Sequence, residues 1–372
     1  VQSLIAGPFL GQYLLLRPGH ASGVQISKTR YEELRTAVAE DLPAPAWLND
    51  ATAAAWNMKP VDDPAARTVL VRERSRLGYG RASWEINLGC DADCGFCYLG
   101  DKRFASLDWE NRTRLLDMLA EAGVLWLQIT GGEALIDPQF AASYEYVCGL
   151  GIMAQVSTNG SQLHKPRIQE LFARLRPYRL TVSLYGATAA TYDGVTRNRG
   201  MYDRLVRGLD ACREAGLPVR MNIVVAAENA HEVDAMVRLV ESRWAFPYYV
   251  FSTMSPTIHG GSAPLASQAA KYLKPRQVFS GCNAGRTFFH VDPHGIASIC
   301  KVGRDPSVNL MTEGVGALSR LGAIAESLQL RTGGCSGCSK TGSCRTCRPL
   351  ARIHQEAGDA LSNYCQHGGY GS

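Results

Sequence analysis

Between residues 84 and 254 the chain repeats one unit six times: a short run rich in branched and aromatic residues, a turn, then an amphipathic stretch. The strand-like runs lie at 84–88, 125–130, 153–158, 179–185, 219–225 and 248–254, with helical stretches at 109–122, 166–175, 202–215 and 231–243. Strands separated by helices cannot pair as hairpins, so consecutive strands must run parallel with the helices covering the sheet. The series predicts an α/β fold, a partial (β/α)6 TIM-like barrel, with chemistry at the C-terminal ends of its strands.

Directly after the first run stands Cys90-Asp-Ala-Asp-Cys94-Gly-Phe-Cys97-Tyr98, which puts three thiols into one short loop. A cubane iron–sulfur cluster has four irons, so three protein thiolates leave one iron open to an external amine and carboxylate. A zinc knuckle is the alternative for such a loop. The spacing, with the aromatic Tyr98 after the third cysteine, resembles the signature of the radical SAM superfamily. That resemblance implies a [4Fe–4S] cluster on Cys90, Cys94 and Cys97 and bound S-adenosylmethionine (SAM). It also implies reductive cleavage of SAM to a 5′-deoxyadenosyl radical that abstracts hydrogen from a substrate.

Other motifs follow successive strands. Thr130-Gly131-Gly132-Glu133 resembles the family's GGE element, whose backbone and carboxylate hold SAM's amino group; glycines permit close approach and a carboxylate pairs with an ammonium. Ser157-Thr-Asn159-Gly and Ser183-Leu-Tyr-Gly resemble stretches flanking the SAM site. By that match Asn159, Ser183 and Arg197 contact SAM, and Tyr98 lies near the adenine. Each of these residues is also a plausible cap, turn or packing residue.

Seven of the twelve cysteines fall between Cys282 and Cys365. The order is Cys282-x12-Gly295-x4-Cys300, then Cys335-x2-Cys338-x5-Cys344-x2-Cys347-x17-Cys365. Such a segment has little apolar content for a core of its own, so metal ligation would organise it, with zinc as the chemical runner-up. The pattern resembles the SPASM extension of peptide-modifying radical SAM enzymes, with two auxiliary clusters, making three [4Fe–4S] clusters in all. By that match Cys335, Cys338, Cys344 and Cys365 ligate one cluster, and Cys282, Cys300 and Cys347 ligate the other. A cysteine usual in the fuller pattern is missing, which leaves one iron open or capped by His290, Asp292 or a substrate group. Lys301 follows Cys300 where sulfatase-maturing members carry an acidic base, which speaks against that activity; the lysine itself reads as a solvated side chain or a partner for cluster charge.

The boundaries are therefore 1–80 for an N-terminal α+β appendage, 81–280 for the radical SAM barrel and 281–372 for the SPASM domain. The appendage is read as two extended runs, 12–16 and 23–26, and helices at 29–40 and around 50–56. It reads either as a cap on the barrel or as a domain that takes a leader peptide as an added strand. A formal charge of +5 with mixed signs and no basic recognition helix gives no case for nucleic acid. There is no run of eighteen apolar residues and no basic stretch at the start, so neither a membrane partner nor a secretion signal is expected, and the protein reads as cytoplasmic. The function implied is modification of a ribosomally made precursor peptide, with an external donor such as flavodoxin or ferredoxin. Crosslinking, rearrangement, desaturation and epimerisation all remain open. Tyr249, Ser255, Thr257 and His259, after the last strand, are expected to face the substrate. A small-molecule radical SAM oxidoreductase and a zinc-stabilised binding module are the alternatives.

Overall fold

The computed structural model describes residues 2–58, 64–100, 102–273, 279, 281–329 and 346–365. The N-terminal sheet contains β1 (Leu4–Phe9), β2 (Gln12–Leu16), β3 (Val24–Ile26) and β4 (Val69–Val71), in the order β3-β2-β1-β4. Leu10 and Gly11 join β1 to β2 with φ of 47° and 83°, the positive values that suit a two-residue hairpin. Helix Lys28–Ala39, capped by the Ser27 hydroxyl, and helix Ala46–Trp56 cover this sheet, burying Leu4, Leu15, Tyr31, Leu34 and Leu48. β1 was not expected, because Gly7-Pro8 interrupts its apolar run. Pairing with β4 stops at Ala6 opposite Val71, so on that side Pro8 has no ladder partner to which it must donate.

The second sheet is built on β5 (Arg81–Glu85), β6 (Trp126–Thr130), β7 (Met153–Thr158), β8 (Arg179–Leu184), β9 (Val219–Val224) and β10 (Tyr248–Phe251), all parallel and side by side in chain order. The six expected strands and their helices are present, with ends shifted by a few residues. Along each strand side chains alternate between faces. Leu127, Ile129, Ala154, Val156, Leu180, Val182, Met221 and Ile223 are buried. The positions between these pairs, Gln128, Gln155, Thr181 and Asn222, are polar, and Gln128 donates to Ser157 Oγ at 2.7 Å. A sheet with one greasy and one polar face has helices on the first and room for a ligand on the second.

The sheet stays open, with β10 at one edge, rather than closing into a barrel. Beyond β5 it continues into the region assigned to the second cysteine field: β11 (Phe288–Val291) runs parallel to β5, followed by antiparallel β12 (Ile296–Ser298) and β13 (Val308–Asn309). Ile299, Leu310, Leu318, Leu321 and Ala325 enter the same hydrophobic core as the strand series. The described part of that field thus rests on the core of the main sheet, a packing that its low local apolar content did not suggest.

One buried ion pair fastens the sheet to its helices. Arg112 of helix Trp109–Glu121 reaches both carboxylate oxygens of Asp137 at 2.9 and 3.2 Å, donates to Ser143 Oγ, and has about 1% of its side chain exposed. Removing one partner leaves the other charge buried and unmatched, so Arg112→Met is expected to lower stability by about 3–5 kcal/mol, measured by urea unfolding of the reconstituted protein.

Candidate active site

A cavity of about 390 Å³ opens at the C-terminal ends of β5 to β10. Cys90, Cys94, Cys97, Tyr98, Gly131, Gly132, Asn159 and Ser183 all line it. The fold therefore brings together eight of the ten residues expected at the SAM site from four separate stretches of chain.

The cysteine loop is held by polar bonds rather than by its own core. Asp91 accepts from Asn159 Nδ2 at 2.8 Å, Ser161 Oγ at 2.6 Å and Gln162 Nε2 at 2.9 Å, while its carbonyl accepts from Asn198 Nδ2. The Asp93 amide donates to Thr196 O at 2.8 Å. Asp91 was not singled out from the sequence, because an aspartate between two cysteines has no spacing that announces its partners.

Gly131 and Gly132 lie against the chain that leads into this loop. The Gly132 amide donates to Asn87 O at 3.0 Å and the Glu133 amide to Gly89 O at 2.8 Å. A Cβ on Gly131, whose φ is +146°, would stand 2.3 Å from Asn87 O, and one on Gly132 would stand 2.2 Å from Gly89 O. Only glycine fits either position.

Glu133 and Arg197 differ from expectation, since neither lines the cavity. The Glu133 carboxylate accepts from Thr158 Oγ1 and the Asn159 amide, both at 2.6 Å, and from the Leu135 amide at 2.9 Å. It is thus a brace between the ends of β6 and β7, and burial pushes its pKa up to about 7. Arg197 takes the left-handed position ending helix Ala189–Thr196 and pairs with Asp93 at 3.0 Å on the exposed side of the cysteine loop. Tyr98 does line the cavity, with its hydroxyl donating to Glu85 at 3.2 Å.

Glu85 is the centre of a second buried group. It accepts both Arg304 Nη atoms, at 3.0 and 2.7 Å, and His290 Nε2 lies 3.5 Å away. Burial alone would raise its pKa, but its partners outweigh burial and hold the carboxylate well below the usual range. His290 and the Arg304 guanidinium both hold it down, while burial drives His290 itself toward the neutral imidazole. His290 Nδ1 meets Ser83 Oγ at 2.8 Å, which fixes the ring on β5. Asp292 accepts from the His294 and Ile296 amides in the β11–β12 turn. Of the two side chains offered as an alternative ligand for the auxiliary cluster, Asp292 is engaged in this turn, whereas His290 Nε2 is buried with no hydrogen-bond partner among the described residues.

In the second field, Cys300 Sγ accepts from the Gly303 amide at 3.1 Å, and Cys282 lies near enough to act on it electrostatically. Cys347 stands at the N-terminus of helix Arg348–Glu356, and Cys365 follows the turn Leu361–Asn363. Cys335, Cys338 and Cys344 lie outside the described residues. Among the described residues no three His, Cys, Asp or Glu side chains are arranged to hold a metal ion.

Lys301 lines the cavity, with Nζ 6.0 Å from the centroid of the Tyr98 ring, a place that suits the expected partner for cluster charge better than the expected solvated side chain. Val302 and Ile353 share its wall. These residues were missed because their place depends on β11 lying beside β5. Of the residues expected to face substrate, Ser255 lines the cavity and Tyr249 does not. Thr257 forms a turn with Gly261, and His259 lines a separate cavity with Asp292 and His294.

The cavity suits the cofactors. Burial pushes the Cys90 and Cys94 thiols up to about 12, so as thiolates they require a bound cation, as an iron cluster provides. The glycines leave backbone room beside them for a ligand.

Residues 84–240 match the family model described as the radical SAM superfamily. The chain carries a radical SAM domain. Over 190 residues it is 28% identical to the AdoMet-dependent heme synthase of Methanosarcina barkeri, covering 50% of this chain and 54% of that protein. Over 226 residues it is 26% identical to the mycofactocin maturase MftC of Mycobacterium tuberculosis, covering 57% of this chain and 56% of MftC. The chain thus spans little more than half the length of these curated relatives. In fold it resembles Streptococcus suis SuiB bound to S-adenosylmethionine, with a TM-score of 0.57, 14% identity and 98% of each chain covered. Among the described residues no helix is long and apolar enough to cross a membrane.

Replacing Gly132 by alanine forces the new methyl into two carbonyl oxygens at 2.2 and 2.4 Å. The expected result is a reconstituted protein with unchanged far-ultraviolet circular dichroism that has lost about four irons, one cubane, by iron and sulfide analysis.

Proposed function

We propose that this protein is a radical SAM enzyme with a SPASM-type extension that modifies a ribosomally made precursor peptide. The observation that carries the reading is the convergence of Cys90, Cys94, Cys97, Gly131, Gly132, Asn159 and Ser183 on one cavity at the strand ends. Cys90, Cys94 and Cys97 would hold a [4Fe–4S] cluster with one open iron, and the Gly131–Gly132 backbone, Asn159, Ser183 and Tyr98 would hold SAM. The chemistry such a cluster supplies is one-electron cleavage of SAM to methionine and a 5′-deoxyadenosyl radical, which takes a hydrogen atom from the substrate. Glu133 positions this set by bracing Thr158 and Asn159, and Asp91 by tethering the loop. Phe96, Tyr185, Val224 and Met254 form an apolar side of the cavity and adjoining packing, which shields a radical from water.

The seven cysteines from Cys282 onward support two auxiliary clusters, with Cys335, Cys338, Cys344 and Cys365 on one and Cys282, Cys300 and Cys347 on the other. A peptide substrate is favoured over a small molecule because the likeness to SuiB takes in the N-terminal sheet as well. SuiB has also been solved bound to precursor peptide SuiA, and that structure covers 93% of this chain at a TM-score of 0.55 and 15% identity. The electron would come from a flavodoxin- or ferredoxin-type donor.

Anaerobic, reduced protein given SAM is expected to release 5′-deoxyadenosine by chromatography, and Cys94→Ala to abolish that release. Full loading predicts roughly twelve irons per chain; zinc without sulfide would sink the radical reading. Coexpression with a short peptide encoded beside the gene, read by mass spectrometry, separates the outcomes. A loss of two hydrogens indicates crosslinking or desaturation, and uptake of one solvent deuteron indicates epimerisation.

A further inference from the structure

We infer that Lys301 is the anchor for a carboxylate carried by the substrate, an inference that rests on the proposed peptide-modifying function. The cavity is lined by two lysines and by no aspartate or glutamate among the described residues. Lys102 is already matched, with Nζ 2.8 Å from Asp93 Oδ1. Lys301 has no ion pair or hydrogen bond from Nζ to any described residue; its contact is the Tyr98 ring.

The cation is nevertheless held in place. Its carbonyl accepts from Arg304 Nε at 2.8 Å, and Arg304 is clamped by both oxygens of the buried Glu85. Glu85 acts on Lys301 only through space, because its oxygens are taken by Arg304 and Tyr98. An ammonium turned from bulk water toward a cavity whose described lining carries no carboxylate is costly unless the ligand supplies one. A carboxylate fits that need through a charge-assisted hydrogen bond.

Two ligands could offer the carboxylate: an acidic residue or C-terminus of the peptide, or the methionine end of SAM. Sheet order favours the peptide. Gly131, Gly132, Asn159 and Ser183 follow or belong to β6, β7 and β8 on one side of β5, whereas Lys301 follows β12, two strands away on the other side.

The test uses the cluster-reconstituted full chain and two blocked tripeptide probes, acetyl-Gly-Glu-Gly-amide and acetyl-Gly-Gln-Gly-amide, in equilibrium dialysis. Wild type is expected to bind the glutamate probe about tenfold or more tighter, the scale of one hydrogen bond to a charged group. Lys301→Met should erase that ratio, Lys301→Arg should retain most of it, and SAM affinity and iron content should stay unchanged. Equal binding of both probes by wild type overturns the inference, as does discrimination that survives Lys301→Met. Loss of SAM affinity in Lys301→Met assigns the cation to SAM instead, and a shifted cluster potential with unchanged probe discrimination assigns it to cluster charge; either result also overturns it. Release of 5′-deoxyadenosine from wild type is scored separately, so failure of the radical reading is distinguishable from failure of this one.

Discussion

The site depends on two backbones approaching closer than any side chain allows. Gly131 and Gly132 let the end of β6 hydrogen-bond to the stretch Asn87–Gly89 that leads into the cysteine loop. The loop is then tied to β7 through Asp91 and Asn159, while Asn159 is held by the Glu133 carboxylate that follows the glycines. Glycine contact, carboxylate brace and loop tether form one circuit. Each step is a short polar bond in a buried setting, where an unmatched partner costs about 1–3 kcal/mol. A loop with few apolar side chains is thereby held firmly enough to present three thiols.

Most of this was legible in the sequence because it is local. The six parallel strands follow from hydrophobic periodicity, and Cys90, Cys94 and Cys97 are spaced within one loop. Their convergence with Gly131, Gly132, Asn159 and Ser183 follows from placing motifs at strand ends. Side-chain direction was less legible. Glu133 stands where the motif predicts but turns its carboxylate to Thr158 and Asn159, and Arg197 turns outward to Asp93. The sequence position of a polar residue does not fix which of several nearby donors it meets.

What the sequence hid altogether was long-range pairing. Nothing near Phe288–Val291 announces that it will lie beside β5, so Lys301, Arg304 and the neutralised setting of His290 could not be foreseen. The local signal even suggested independence, because the second cysteine field is poor in apolar residues. Its described part instead borrows the main core through Leu310, Leu318 and Leu321. Within the described residues, the boundary at 280 therefore separates sequence textures more than it separates packing units.

That pairing also sets an order of events during synthesis. Ser83 and His290, which touch in the finished sheet, are 207 residues apart. At about 5–20 residues per second of translation, β5 and the cysteine loop leave the ribosome roughly 10–40 s before the strand that will flank them. For that interval the three thiols stand beside an unfinished edge, with the Lys301 wall not yet made. Delivery of iron and sulfide to the nascent chain would meet an open approach that the completed fold narrows.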